Sequence, residues 1–256
     1  MGVLDQFRLD GKVALVTGGT RGLGRVIAEA LASAGASVAI SGRNLEQASQ
    51  VAREVGEASG RPTLGIAADV TREVEVAAMV GQVGDQYGRL DILVNNAGIN
   101  LRGPIEQLSE SDWDQVIDTN LKGPWLCCKA VAETMKRQKW GRVINVSSML
   151  GEISIPGRTP YASSKGGLTL LTKTLALEWA SDGINVNALC PGPFATELNL
   201  PLLNDPNVRA TFQSKIPLGR WGEPSELGAA AVFLASDASS FMTGASLFID
   251  GGYTAQ

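Results

Sequence analysis

Short, nearly unbroken apolar runs alternate along the chain with longer stretches in which apolar residues recur every three or four positions. The runs fall at residues 12–17, 36–41, 63–68, 90–94, 142–146, 184–189 and 246–250. Strands covered on both faces read this way, because neither face meets water. Between the first two runs, Leu23, Val26, Ile27, Ala30 and Leu31 recur at helical spacing, and Gly35 follows as a stop. Residues 70–87, 113–138 and 161–180 carry further helical patterns. This alternation predicts an α/β fold, with one doubly wound, seven-stranded parallel sheet and helices on both faces.

No internal repeat, low-complexity tract or linker divides the 256 residues, so a single domain over 1–256 is expected. Pro191, Pro193, Pro201, Pro206 and Pro217 concentrate loop chemistry in residues 191–217. A segment of that length inside a compact domain reads as a lid over a site. The plainer alternative is a surface excursion carrying one short helix.

Composition then removes whole classes of function. Hydrophobic residues make up 44% and charged residues 19%, the proportions of a globular protein with a large core. A net charge of −4 offers no basic face for nucleic acid or an anionic membrane. The opening MGVLDQFRLDGK lacks the apolar core of a signal peptide, and no apolar run approaches the roughly 18 residues that span a bilayer. The expected compartment is the cytoplasm. Cys127, Cys128 and Cys190 form no disulfide framework. There is no histidine, which excludes Ser-His-Asp and Cys-His catalysis and the His-containing zinc sites, so no metal is expected. A general acid or base must be Tyr, Lys, Asp, Glu or Cys.

Tyr161 and Lys165 lie four residues apart in a helical pattern, so phenol and ammonium share one face. A free tyrosine ionises near pH 10 and is a poor base at neutral pH. A cation within about 4 Å favours the phenolate by up to about 4 kcal/mol before desolvation is subtracted. Ala162, Ser163 and Ser164 leave the neighbourhood uncrowded. In isolation the same pair also reads as a partly buried aromatic beside a solvated lysine.

The first strand runs into Thr17-Gly18-Gly19-Thr20-Arg21-Gly22-Leu23-Gly24 and then directly into a helix. Glycines there permit a tight turn and a close backbone approach to a pyrophosphate, which would meet the helix N-terminus. The spacing from Gly18 is G-x-x-x-G-x-G rather than G-x-G-x-x-G, and an ordinary strand-to-helix connection competes with the cofactor reading. Further on come Asn95-Asn96-Ala97-Gly98, Asn120, Ser147-Ser148, Tyr161-Ala-Ser-Ser-Lys165, Pro191-Gly192 and Asp250-Gly251-Gly252. In this order and over nearly the whole chain, these elements resemble the short-chain dehydrogenase/reductase family.

The resemblance implies a Rossmann-type domain and hydride transfer between a nicotinamide cofactor and a carbonyl or secondary alcohol. It gives Tyr161 the proton exchange, Ser148 the substrate oxygen, Lys165 the nicotinamide ribose as well, and Asn120 a water linking Lys165 to solvent. Ser147, one residue earlier on the strand, points to the opposite face and is the residue most easily confused with Ser148. The cofactor would lie against Gly18, Thr20, Arg21, Gly22, Leu23 and Gly24. Asp69 and Val70 would stand at the adenine, with Asn96, Ala97 and Gly98 as the floor, and Pro191, Gly192 and Thr196 at the nicotinamide end. Asp69 also suits the cap of the next helix. Gly42 stands where relatives that use NAD commonly carry an acid, and Arg43 and Arg21 could flank a 2′-phosphate, so NADP(H) is favoured over NAD(H).

The substrate is read from Asn100, Arg102, residues 149–155 and residues 194–203. Arg102 would pair a carboxylate bidentately or stay solvated. With the Arg220-Trp221-Gly222-x-Pro224 run, the texture resembles gluconate 5-dehydrogenases and other sugar-acid members of the family. A 3-oxoacyl-(acyl carrier protein) reductase shares nearly every motif. Asp182 stands where those reductases commonly carry a basic residue, although Lys136, Arg137 and Lys139 restore charge nearby. A non-catalytic nucleotide-binding regulator or scaffold is the alternative of another class, which Asn120, Ser148, Tyr161 and Lys165 together argue against. By likeness a homotetramer is expected, built on residues 113–138, 161–180 and the last strand. Trp125 and Trp179 would lie at such contacts or in the core.

Overall fold

The computed structural model describes residues 2–199 and 203–255. Met1 and Gln256 of the expected domain, and residues 200–202 of the expected lid, lie outside the described residues. The strands are β1 (Val13–Thr17), β2 (Ser37–Gly42), β3 (Thr63–Ala67), β4 (Ile92–Asn95), β5 (Gly141–Val146), β6 (Ile184–Pro191) and β7 (Ser246–Ile249). They form one all-parallel sheet in the order β3-β2-β1-β4-β5-β6-β7. The helices are α1 (Gly22–Ser33), α2 (Leu45–Ser59), α3 (Glu73–Tyr87), α4 (Glu110–Ile117), α5 (Gly123–Gln138), α6 (Thr159–Trp179), α7 (Pro206–Gln213) and α8 (Gly228–Ala235).

Alternate strand residues serve opposite faces, which explains why the strands read as continuous apolar runs. Ala14 and Val16 of β1 pack with Ile27 and Leu31 of α1, Val51 and Val55 of α2, and Ala231 and Leu234 of α8. Val13 and Leu15 pack on the other face with Met79 of α3, Val131 and Met135 of α5, and Trp179 of α6. The chain winds outward from β1 to β3, then crosses back to β4 on the other side of β1. That reversal opens a crevice beyond the carboxyl ends of β1 and β4.

The expected helix over 113–138 is not continuous. It is α4, one wider turn over Asp118–Lys122 in which the Gly123 N–H donates to the Asp118 carbonyl, and then α5. Asn120 sits in the wide turn with its side chain fully engaged. Its Oδ1 accepts from the Ile99 N–H at 2.9 Å, and its Nδ2 donates to the Ile99 carbonyl at 2.9 Å and to Ser164 Oγ at 3.1 Å. Gly123 is packed so closely that a Cβ there would lie 2.9 Å from Val70 Cγ2. Such an insertion lets one residue turn inward without ending the helix.

The helix expected from residue 70 begins instead at Glu73, and Asp69 does not cap it. Asp69 Oδ1 is spent on the Thr71 N–H and hydroxyl at 2.9 and 2.8 Å, while Glu75 reaches back to the Asp69 N–H at 2.8 Å. Helices α2 and α8 are additions to the elements read from the sequence, whereas α7 is the one short helix that the alternative reading of residues 191–217 carries. In α2 the buried stripe is only Ala48, Val51, Ala52 and Val55, bounded by the Asn44 side chain on the Gln47 N–H and by Gly60 at φ 67°.

Candidate active site

The crevice starts from a clamp between β1 and β4. The Thr17 hydroxyl donates to the Val94 carbonyl and accepts from the N–H groups of Asn96 and Ala97 at 3.1 and 3.2 Å. Asn96 Nδ2 returns two bonds, to the carbonyls of Thr17 and Gly18. Gly24 completes the fit, since a Cβ there would run into Asn96 Nδ2 and the Gly18 carbonyl. Gly18 holds φ +60°, and its Cβ would lie 2.8 Å from Ala97 Cα. Arg21 is the extended residue that opens α1, and its side chain caps none of the first-turn N–H groups. Bare donors at the positive end of a 12-residue helix, beside glycines that leave no room for side chains, fit a dinucleotide pyrophosphate.

The remaining residues expected at the cofactor line the same edge in part. Thr20 lies beside Gly42, whose Cβ would stand 2.8 Å from Thr20 Cγ2. Leu23 is half-buried and packs against the core below. Arg43 is exposed and helps hold the Asp69 carboxyl down. Arg21 is exposed and pairs with Glu197 of the 191–217 segment at 3.4 Å. Gly192 is fixed by its N–H on the Ile249 carbonyl and by Asp250, whose Cβ a side chain would meet at 2.5 Å. Thr196 is buried beyond Pro191. Val70 is buried against Gly123.

The candidate reacting groups lie at the ends of β5 and α6. Ser147 and Ser148 face different partners: Ser147 Oγ bonds the Lys165 carbonyl and Thr169 Oγ1, whereas the Ser148 hydroxyl stands near enough to the Tyr161 phenol to favour its ionised form. The Leu150 N–H donates to Ser148 Oγ at 3.1 Å. Gly151 lets this turn close on α6, since a Cβ there would lie 2.9 Å from the Lys165 carbonyl. Burial pushes the Tyr161 phenol up, while the Ser148 hydroxyl, Arg102 and Arg158 pull it back.

Lys165 is nearly fully buried, and its Nζ donates to the Val146 carbonyl at 2.7 Å. It stands 5.6 Å from the centre of the Tyr161 ring. The ammonium thus lies beside the Tyr161 ring while its hydrogen bond goes to β5, and Arg102 and Arg158 add positive charge about the phenol. Burial pulls the Lys165 ammonium down to about 8. Asn120 Oδ1 and Lys165 Nζ converge on Gly98, where a Cβ would lie 3.3 and 3.8 Å from them.

Arg102 is half-buried, and its NH2 donates to Asn199 Oδ1 at 3.1 Å. Asn199 in turn donates to the Phe194 carbonyl. The Asn100 Oδ1 is buried with no hydrogen-bond partner among the described residues. Arg158 lies outside the motifs read from the sequence. The usable signal was its position three residues before Tyr161, and its neighbour Arg102 is 56 residues away. The Arg220-Trp221-Gly222 run lies at the base of the 191–217 segment. Arg220 grips Glu226 with two bonds of 2.8 and 2.7 Å, and Gly222 bridges to Phe194. Among the described residues no group of Cys, Asp and Glu is placed to hold a metal ion, and no helix is long and apolar enough to cross a membrane.

Comparison with known proteins places this geometry in a family. Residues 18–254 match the family model described as Enoyl-(Acyl carrier protein) reductase. The chain is 41% identical to gluconate 5-dehydrogenase of Gluconobacter oxydans (strain 621H), over 98% of this chain and 97% of the relative. It is 39% identical to a 3-oxoacyl-[acyl-carrier-protein] reductase of Staphylococcus epidermidis, over 94% of this chain and 98% of the relative. The crystal structure of a gluconate 5-dehydrogenase from Burkholderia cenocepacia J2315 in complex with NADP and tartrate superposes with a TM-score of 0.97, at 41% identity and full coverage of both chains. The chain belongs to the short-chain dehydrogenase/reductase family and is an NAD(P)-dependent oxidoreductase acting on CH–OH groups.

Proposed function

We propose that the protein interconverts a secondary alcohol and a ketone on a sugar acid, using NADP(H) in preference to NAD(H). The observation that carries this reading is a half-buried Arg102 held by Asn199 and acting on the charge of Tyr161. A guanidinium so placed takes a substrate carboxylate while the phenol takes the reacting oxygen. The bound nicotinamide supplies or accepts the hydride. Ser148, its rotor fixed by the Leu150 N–H, polarises the substrate oxygen, and Tyr161 exchanges that oxygen's proton. Lys165 and Asn120, converging on Gly98, form the route by which the proton leaves, and Lys165 also holds the cofactor ribose. The buried, unbonded Asn100 Oδ1 suits a substrate hydroxyl. The 191–217 segment acts as the lid, carrying Asn199 and Thr196 toward the site.

The weighting toward NADP(H) rests on Gly42, which supplies no acid, and on Arg21 and Arg43 at the same edge. The carrier-protein reading has little docking charge left: Lys139 and Lys136 share Asp182 and Arg137 pairs with Glu133, which leaves one net positive charge there. The oligomer is read as a homotetramer and the compartment as the cytoplasm.

Steady-state rates with gluconate, its keto forms and an acetoacetyl thioester, each with NADP(H) and NAD(H), test the proposal. Turnover of the sugar acid with NADP(H) is expected. Turnover confined to the thioester sinks the substrate reading, and a strong NAD(H) preference sinks the cofactor reading.

A further inference from the structure

We propose that Arg158 is a specificity-determining residue, the second half of a clamp in which its guanidinium and that of Arg102 jointly take the carboxylate of an acidic substrate. The inference deepens the sugar-acid reading and rests on it.

The two arginines leave the backbone side by side. The Gly103 N–H donates to the Gly157 carbonyl at 3.3 Å, stapling two loops whose adjoining residues are Arg102 and Arg158. Gly157 holds φ +72°, a conformation that disfavours any side chain there. Arg158 NH1 folds back to the same Gly157 carbonyl at 2.9 Å, so the guanidinium lies over the staple. Arg158 also opens α6: its carbonyl accepts the Ala162 N–H at 2.8 Å, and Tyr161 follows three residues later, on the same side of the first turn. The clamp therefore spans two supports, α6 through Arg158 and the 191–217 segment through Arg102 and Asn199.

The charges are set against each other. Arg158 is half-buried, and burial first, then the charge of Arg102, lower its pKa, while both guanidiniums favour the ionised phenol. Arg25, Arg89, Arg142 and Arg220 each hold a carboxylate of the protein. Among the described residues Arg158 forms no ion pair with one. Two like charges brought together out of water disfavour each other, and a shared anion converts that repulsion into attraction. A planar fork on each side makes a carboxylate the matching anion.

The test is a titration of the enzyme saturated with NADPH, where gluconate binds without turnover. The ligands are gluconate, its neutral counterpart glucitol, and malonate as a bare dicarboxylate. In Arg158→Gln the preference for gluconate over glucitol is expected to fall on the order of 10- to 100-fold, the loss of charged hydrogen bonds. Arg158→Lys, which keeps the charge and loses the fork, is expected to fall in between. In turnover the larger loss is expected in KM, and the fall in kcat is expected to be the smaller because Arg102 still faces the phenol. A preference for gluconate that survives in both variants overturns the clamp and leaves the sugar-acid reading standing. A wild type indifferent to gluconate that binds malonate through Arg158 overturns the sugar-acid reading and leaves the clamp. Malonate and gluconate binding both independent of Arg158 overturns the clamp outright. The Lys variant carries the test if the Gln variant does not fold.

Discussion

Lys165 shows what a buried ammonium in the candidate site costs in stability. Its ammonium is buried, its folded pKa is pulled down to about 8 from an ordinary 10.5, and one backbone carbonyl holds it. Between those values the unfolded chain binds more protons than the folded one, so stability rises with pH across that window. Below pH 8 the full cost is present, and above about 10.5 it is gone. Urea melts of wild type and Lys165→Met are therefore expected to differ with pH: from pH 8 to 10.5 the wild type gains about 3 kcal/mol relative to the variant. A difference flat across that range would mean that the ammonium is not held out of water. Tyr161, Lys165 and Ser148 were legible in the sequence because their spacing is local, one helical turn or one strand end. The bond from Lys165 to Val146 was not, because a carbonyl 19 residues away competes for the ammonium. Arg158 was hidden for the same reason: the Gly103–Gly157 staple that makes it a neighbour of Arg102 leaves no pattern in the chain.

The wide turn at Asp118–Lys122 breaks the helix beside the candidate site. Apolar periodicity runs through residues 113–138 on both sides of it, so a continuous helix was the natural expectation. The interruption comes from contacts made elsewhere, Asn120 on Ile99 and Gly123 on Val70. Asn120 thus shapes the helix and also ties down Ile99, where the loop toward Arg102 begins. Asn120→Ala leaves the Ile99 N–H and carbonyl without partners, at a cost of about 2–4 kcal/mol. A lower urea midpoint together with a raised substrate KM is expected. An unchanged midpoint would show that the turn is held by the Gly123–Val70 packing alone. Strands were read more faithfully than helices, because burial on both faces leaves an unbroken apolar run. Helix α2 was harder to read, since alanines supply half of its buried stripe.

For the whole molecule, alternation of strand and helix was enough to read a doubly wound sheet, and the candidate site lies where that sheet reverses. Both faces are tightly covered, and the three cysteines show it: Cys127 and Cys128 lie inside α5 and Cys190 inside β6, all buried. Burial pushes the Cys128 thiol up to about 12 and the Cys190 thiol up to about 11. Neutral thiols without access react poorly. In native protein none is expected to react with a thiol reagent at neutral pH within minutes, and all three should react together on unfolding. Fast labelling of one alone would reveal a local opening that this packing does not show. The clamp of Thr17 and Asn96 has a further consequence, which concerns time rather than geometry. Its partners are 79 residues apart, and β1 must leave one edge open for β4 after β2 and β3 have already been made. Parallel pairing across such a gap is slow, because the chain loses its freedom before the contacts form. The nucleotide turn is thus an assembled object rather than a local one. A chain that has folded only its first three strands has the glycines but not the Asn96 bonds that shape them, so competence to bind cofactor arrives late in folding.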